Sequence, residues 1–290
     1  MLKRSIGRWE MVLLFINGVI GAGIFGLPSK VFQMADVYSI AALLLCIVAV
    51  FVIVLCFAEV SSRFHETGGP YLYALASFGP LTAFLTGWLL LITRFITYAA
   101  LINLLVTYLG VFSEWFTRPL PRIACISTIT ILLAWINHIG IRNTTRTNNV
   151  LTIGKLLPLL LFIGVGLFFI TPERLLWDNA PSYKNLSSTV LLWIFAFGGF
   201  ESVLVNAGEV KDPRRTLPFA LLIATLCIAS IYILILIVCI GTLPGLASSD
   251  KPLAAAAGLF MGKSGAILIG IGALVSITGT LNAIMLVGSR

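Results

Sequence analysis

The chain has 290 residues, 59% of them hydrophobic and only 10% charged, with a mean hydropathy of +1.05. Soluble domains carry about 25% charged residues, so this composition excludes a water-soluble enzyme or binding module and defines an integral membrane protein. The net charge of +8 calls for no nucleic acid: basic loops facing anionic headgroups account for it, with the lipid bilayer as partner.

Apolar runs long enough to cross about 30 Å of hydrocarbon recur along the whole sequence. Eight spans are predicted, at roughly 10 to 33, 38 to 62, 80 to 111, 121 to 140, 146 to 171, 187 to 209, 216 to 241 and 264 to 289. Basic residues Lys3, Arg4 and Arg8 precede the first. That run is too long for a signal peptide and contains Pro28. No charge falls between Met11 and Ser29, yet the middle is Gly21-Ala22-Gly23, flanked by Gly18, Gly26 and Pro28. A spanning helix so composed is built to break. In hydrocarbon an unpartnered backbone group costs several kcal/mol, so an unwound stretch persists only where it lines a cavity or binds something. A close helix contact is the bland alternative for the glycines.

Between spans two and three, Gly68-Gly69-Pro70 forces a turn, and Tyr71 to Ser77 reads as a short interfacial helix. Arg94, inside the third span, reads as a structural anchor nearer the outer face. Lys155 lies about 12 Å into the fifth span. An ammonium at that depth is a candidate to lose and regain a proton during transport, with snorkelling to the interface as the alternative. The sixth span repeats the device of the first, with Phe197-Gly198-Gly199-Phe200-Glu201 at its centre. Glu201 is the one carboxylate deep inside a predicted span, with Glu10, Glu59 and Glu209 at or near span ends; so deep a carboxylate is an expensive placement that usually marks function. Phe195 and Phe200 flank this break and are candidates for a thin gate. Pro213 is expected to stop the sixth helix and Pro218 to open the seventh.

Five cysteines (Cys46, Cys56, Cys125, Cys227, Cys239) fall inside spans without a CxxC spacing and read as packing residues. His65 and His138 have no metal-ligand companion at useful spacing. With no phosphate loop and no nucleophile–base pair, neither an enzyme nor an ATP-driven pump is expected, and no cofactor or metal. Lys and Arg in alternate loops number ten on the side of the N-terminus and seven on the other, which predicts a cytoplasmic N-terminus in the cell membrane.

Parallel breaks in two spans point to an inverted-repeat transporter. The first repeat is expected over 1–172, holding helices one to five, and an incomplete second repeat over 173–290, holding helices six to eight. The expected fold is an all-α membrane protein with discontinuous helices 1 and 6, truncated within its second repeat.

Three groups of residues then stand out together: Gly21-Ala22-Gly23-Ile24-Phe25 with Leu27-Pro28, Ala58-Glu59 with Gly68-Gly69-Pro70-Tyr71, and Phe200-Glu201-Ser202 with Glu209-Val210-Lys211-Asp212-Pro213-Arg214. In these the chain resembles the amino acid–polyamine–organocation permeases along essentially its whole length. The resemblance implies a LeuT-like fold. It implies that the backbone N–H groups of Gly21, Ala22 and Gly23 hold the α-carboxylate of an amino acid. The α-ammonium would meet the carbonyls of Ile20, Phe195, Ala196 and Gly198. Lys155 matches a lysine that some proton-coupled members carry in helix five; Ser276 or Thr278 of helix eight would be its neighbours, and Glu201 a further proton-coupling group. Family members carry more helices than the eight counted here. The implied function is secondary transport of an amino acid by alternating access, driven by protons or by exchange. An apolar pocket favours a neutral substrate, while Glu201 leaves a cationic amino acid or polyamine open. The alternatives are a membrane sensor that binds without transporting and an inactive truncated permease.

Overall fold

The computed structural model describes residues 6–21, 23–64, 68–139, 145–177, 180–204 and 210–288. Among them every regular element is helical. The first span consists of two half-helices, α1 (Arg8–Val19) and α2 (Gly23–Ala35). Helix α3 (Ser39–Arg63) returns across the membrane, and α4 (Pro70–Phe78) is the short interfacial helix that the turn at Gly68-Gly69-Pro70 foretells. Helices α5 (Pro80–Leu109), α6 (Pro119–Ile139) and α7 (Thr145–Gly166) follow. The sixth span is again split, into α8 (Tyr183–Phe197) and α9 (Phe200–Leu204). Helices α10 (Pro213–Thr242), α11 (Pro252–Phe260) and α12 (Gly262–Gly288) complete the series.

Five stretches are long and apolar enough to cross a membrane: Gly23–Arg63, Pro80–Leu109, Thr152–Phe169, Pro213–Thr242 and Gly262–Met285, with a shorter apolar stretch at Pro119–Trp135. The first and sixth expected spans fall outside this set as wholes because their helices are interrupted at mid-length.

Packing separates the helices into two groups. Helices α1, α2, α3, α8, α9 and α10 pack on one another, and α5, α6 and α12 form a second group. Helix α7 bridges them, touching α1 and α10 on one side and α12 on the other. Apolar side chains gain little by leaving lipid for a protein interior, so close helix approach through small residues matters more here. Gly272 of α12 sits where an added Cβ would lie 3.0 Å from Pro158 of α7, and one at Gly166 would lie 2.4 Å from Val238 of α10. Val48, Phe84, Trp88, Phe95 and Ile131 are exposed apolar side chains on the outer faces of α3, α5 and α6.

Three details differ from expectation. Pro213 opens α10 rather than closing the preceding helix, and Pro218 lies inside α10. Asp212, with φ +46°, makes the corner, and the missing N–H of Pro213 falls where a helix has no internal acceptor to offer. Helix α11 has no counterpart among the predicted elements. It is too short to register as a span, yet Leu253, Ala254, Ala256 and Ala257 are all buried, because runs of alanine let it lie close against α12, α2 and α10. Arg94 falls at the middle of α5, as the fifteenth of its thirty residues, and within electrostatic reach of Glu201, so it is central rather than near the outer face.

Candidate functional site

The two breaks meet. Gly199 has φ +117°, and a Cβ there would lie 2.5 Å from the carbonyl oxygen of Gly18. Only glycine adopts that backbone region freely, and only glycine allows this approach, so Gly199 sets the distance between the interrupted helices. Gly18 contributes from its side: a Cβ there would lie 2.8 Å from Val203.

At the first break α1 ends on carbonyls that have no partner within the helix, carrying the negative end of its dipole. The structure meets them with side chains from three other helices. Lys155 of α7 is 2% exposed, and its ammonium donates to the carbonyl of Asn17 at 2.7 Å and to that of Ile20. The Ser276 hydroxyl of α12 donates to the carbonyl of Gly21 at 3.4 Å. Thr280, one turn further, bonds the Ser276 carbonyl at 3.0 Å and crowds Gly21, where a Cβ would lie 3.0 Å from its Oγ1. Beyond the break, α2 begins at Gly23 and presents first-turn N–H groups, which suit an anion. A buried ammonium is costly unless it is held by hydrogen bonds. Here the carbonyl end of α1 supplies both the bonds and the opposing charge.

At the second break the carbonyl of Phe195 accepts the N–H of Gly198 at 3.2 Å. Tyr232 of α10, fully buried, directs its hydroxyl to the carbonyl of Ala196 at 3.0 Å and to that of Val19 at 3.3 Å. One phenol therefore ties the end of α8 to the end of α1. Glu201 is half-buried, and its carboxylate accepts the N–H of Gly199 at 2.8 Å, holding the turn that opens α9. Tyr108 of α5 donates to the carbonyl of Phe25 at 2.7 Å, with the two rings edge to face at 5.8 Å, which pins α2 to α5.

Of the residues singled out in the sequence, Ile20, Gly21, Gly23, Ala196, Lys155 and Ser276 lie around the first break, and Ala196, Gly198 and Glu201 at the second. Ala22 lies outside the described residues. The carbonyl of Ile20, a candidate ligand for a substrate ammonium, already holds the ammonium of Lys155. Thr278 is not brought to this contact: two residues past Ser276, it points to another face of α12, and Thr280 occupies the position beside Gly21 instead. Phe195 is 40% exposed, whereas Phe200 packs edge-on against Phe57 of α3 at 5.2 Å, so the two rings do not face each other. Tyr232 and Thr280 were not singled out. A phenol deep in an apolar helix must find an acceptor, and the breaks hold the free carbonyls; that is the signal by which Tyr232 is legible. Tyr232→Phe is expected to lower stability by about 1 kcal/mol, read as a lower melting temperature in detergent micelles, while Thr278→Ala stays at the wild-type value.

An all-helical chain with its first and sixth spans broken and facing each other has the LeuT-like fold. Consistent with this, it superposes on MhsT, whose crystal structure is in complex with L-phenylalanine, with a TM-score of 0.75 over 99% of this chain and 74% of that one, at 15% identity. The pattern of the family described as "Amino acid permease" matches residues 6–290, and the chain belongs to that family. It is 31% identical to the chloroplastic cationic amino acid transporter 9 of Arabidopsis thaliana, over 100% of this chain and 54% of that protein. It is 29% identical to the branched-chain amino acid permease BcaP of Bacillus subtilis (strain 168), over 99% and 65%. To the large neutral amino acids transporter small subunit 2 of Homo sapiens it is 30% identical, over 80% and 46%. The chain thus spans between 46% and 65% of the length of these three relatives, which are transporters and not enzymes.

Proposed function

We propose that the chain carries the amino acid site of a secondary transporter that works by alternating access, with its N-terminus cytoplasmic in the cell membrane. The observation that carries this reading is the contact of the two breaks at Gly18 and Gly199. On this reading the N–H groups at the start of α2 hold the carboxylate, and the carbonyls at the end of α8 hold the ammonium. Because Lys155 is itself a cation on the carbonyl end of α1, we take it as a resident counter-charge. Proton release from it would loosen α1 from α7 within the cycle, which supports proton coupling or exchange. Phe195, exposed beside the break, is the better placed of the two gate candidates. The first five helices, 1–172, and the remaining three, 173–290, would be one complete and one partial repeat. The apolar surroundings favour a neutral amino acid, in keeping with the branched-chain and large neutral amino acids in the names of two relatives.

Uptake of labelled amino acids into proteoliposomes, with and without an inward pH gradient, tests the proposal. Accumulation of at least one amino acid, increased by the gradient or by preloaded amino acid, is expected. Absence of both uptake and exchange for all twenty would remove transport by this chain. A second reading is binding without flux; saturable binding with no flux would select it.

A further inference from the structure

Helices α1 and α10 run side by side with their N-terminal ends on the same face of the protein. Their first turns are stapled together. Ile6 pairs with Val210 in an isolated parallel bridge, and the N–H of Lys211 donates to the carbonyl of Ile6 at 2.9 Å. Trp9 packs edge-on against Phe219 with ring centres 5.7 Å apart, and the guanidinium of Arg8 lies over the same ring, also at 5.7 Å. This staple gathers Arg8, Lys211, Arg214 and Arg215, all exposed. Among the described residues none of the four holds an ion pair. Among the described residues the nearby carboxylates are outnumbered: Glu10, which accepts the N–H of Gly7 at 2.8 Å, and the exposed Asp212 set two anions against four cations in the corner. Trp9 is 67% exposed at the level where both spans begin, the depth at which tryptophan marks the boundary between headgroups and acyl chains.

We propose that this corner binds the headgroup of an anionic phospholipid, with the phosphate among Arg8, Lys211, Arg214 and Arg215 and the upper acyl chain along Trp9. Unpaired cations at the rim of a span attract anionic lipid, and guanidinium groups match phosphate oxygens in pairs of hydrogen bonds. What distinguishes the corner from an ordinary basic loop is that its cations come from two helices held in register by the Ile6–Lys211 bond and the Phe219 ring. A lipid bound there bridges α1 and α10 and favours the conformation in which they are stapled. The inference stands on this face alone and goes beyond the transport reading.

Fluorescence quenching in vesicles of phosphatidylcholine doped with brominated phosphatidylglycerol or brominated phosphatidylcholine tests it. The Trp9 signal is taken as the difference between the wild type and Trp9→Phe. Stronger quenching by brominated phosphatidylglycerol than by brominated phosphatidylcholine is expected. The preference should fall about fivefold for each cation changed to glutamine, and vanish in the variant with all four changed. Lys251→Gln with Lys263→Gln, at the opposite end of the protein, should leave it intact. Equal quenching of the Trp9 signal by the two lipids overturns the proposal, and that reading needs no variant besides Trp9→Phe. So does a preference that survives the fourfold change, or one that inorganic phosphate at matched ionic strength abolishes, which would make the site one for a free anion. None of these readings depends on whether the chain transports.

Discussion

Lys155→Met is expected to abolish uptake and to lower the stability of the folded chain by about 3 kcal/mol. Methionine keeps the length and apolar stem of lysine but cannot donate. The carbonyls of Asn17 and Ile20 would then lose the ammonium that now satisfies them. Each buried acceptor left without a donor costs about 1 to 3 kcal/mol. Two such acceptors sum to about 2 to 6 kcal/mol, and removing the charge also removes its own burial cost, which keeps the net in the lower part of that sum, at about 3 kcal/mol. The loss falls on the join between α1 and α7, where the two helix groups meet, so it biases the conformational equilibrium as well as stability. A bias of about 3 kcal/mol corresponds to a change in population on the order of 100-fold. Melting temperature in micelles and initial uptake rate in proteoliposomes read the two effects separately. A variant that melts and transports like the wild type would mean that Lys155 braces nothing.

Gly199→Ala is expected to have an effect of similar size for a different reason. Its backbone, at φ +117°, is one that a Cβ disfavours by about 1 to 3 kcal/mol, and the added methyl would lie 2.5 Å from the Gly18 carbonyl oxygen. The obstacle is backbone rather than the end of a flexible side chain. The two breaks must therefore separate, at a further cost of about 1 to 3 kcal/mol typical of overpacking. Gly279→Ala in α12 is the matched control, because nothing lies within 4 Å of the Cβ it would add; it should be neutral or slightly stabilising. Equal behaviour of the two alanine variants would show that the contact between the breaks carries no energy.

Much of this architecture is legible in the sequence because lipid leaves few options. A glycine cluster in the middle of an uncharged span can only be a close contact or a break, and two such clusters at corresponding places favour the break. Lys155 is legible for the same reason: an ammonium that deep must meet acceptors, and the ends of broken helices hold them. Legibility fails where the answer depends on rotation about a helix axis. Thr278 and Thr280 are both hydroxyls, two and four residues past Ser276, but only the four-residue step puts Thr280 on the same face. The direction of the Phe200 ring is hidden likewise, since it lies edge-on to Phe57 just past the turn at Gly198-Gly199. Helix α11 was hidden because its burial comes from small side chains against several helices and leaves no periodic signature. The role of Pro213 depended on Asp212 adopting a left-handed backbone, which aspartate permits without requiring.

The central claim is that the two breaks together form one site for an amino acid. Equilibrium binding of each of the twenty labelled amino acids to the purified 290-residue chain, compared with Gly21→Val, tests it most directly. The valine side chain would grow from a position already 3.0 Å from Thr280 and fill the space beside the first break. Saturable binding of at least one amino acid by the wild type, lost in a folded Gly21→Val, is the predicted result. No binding by the wild type, or equal binding by the variant, would contradict it.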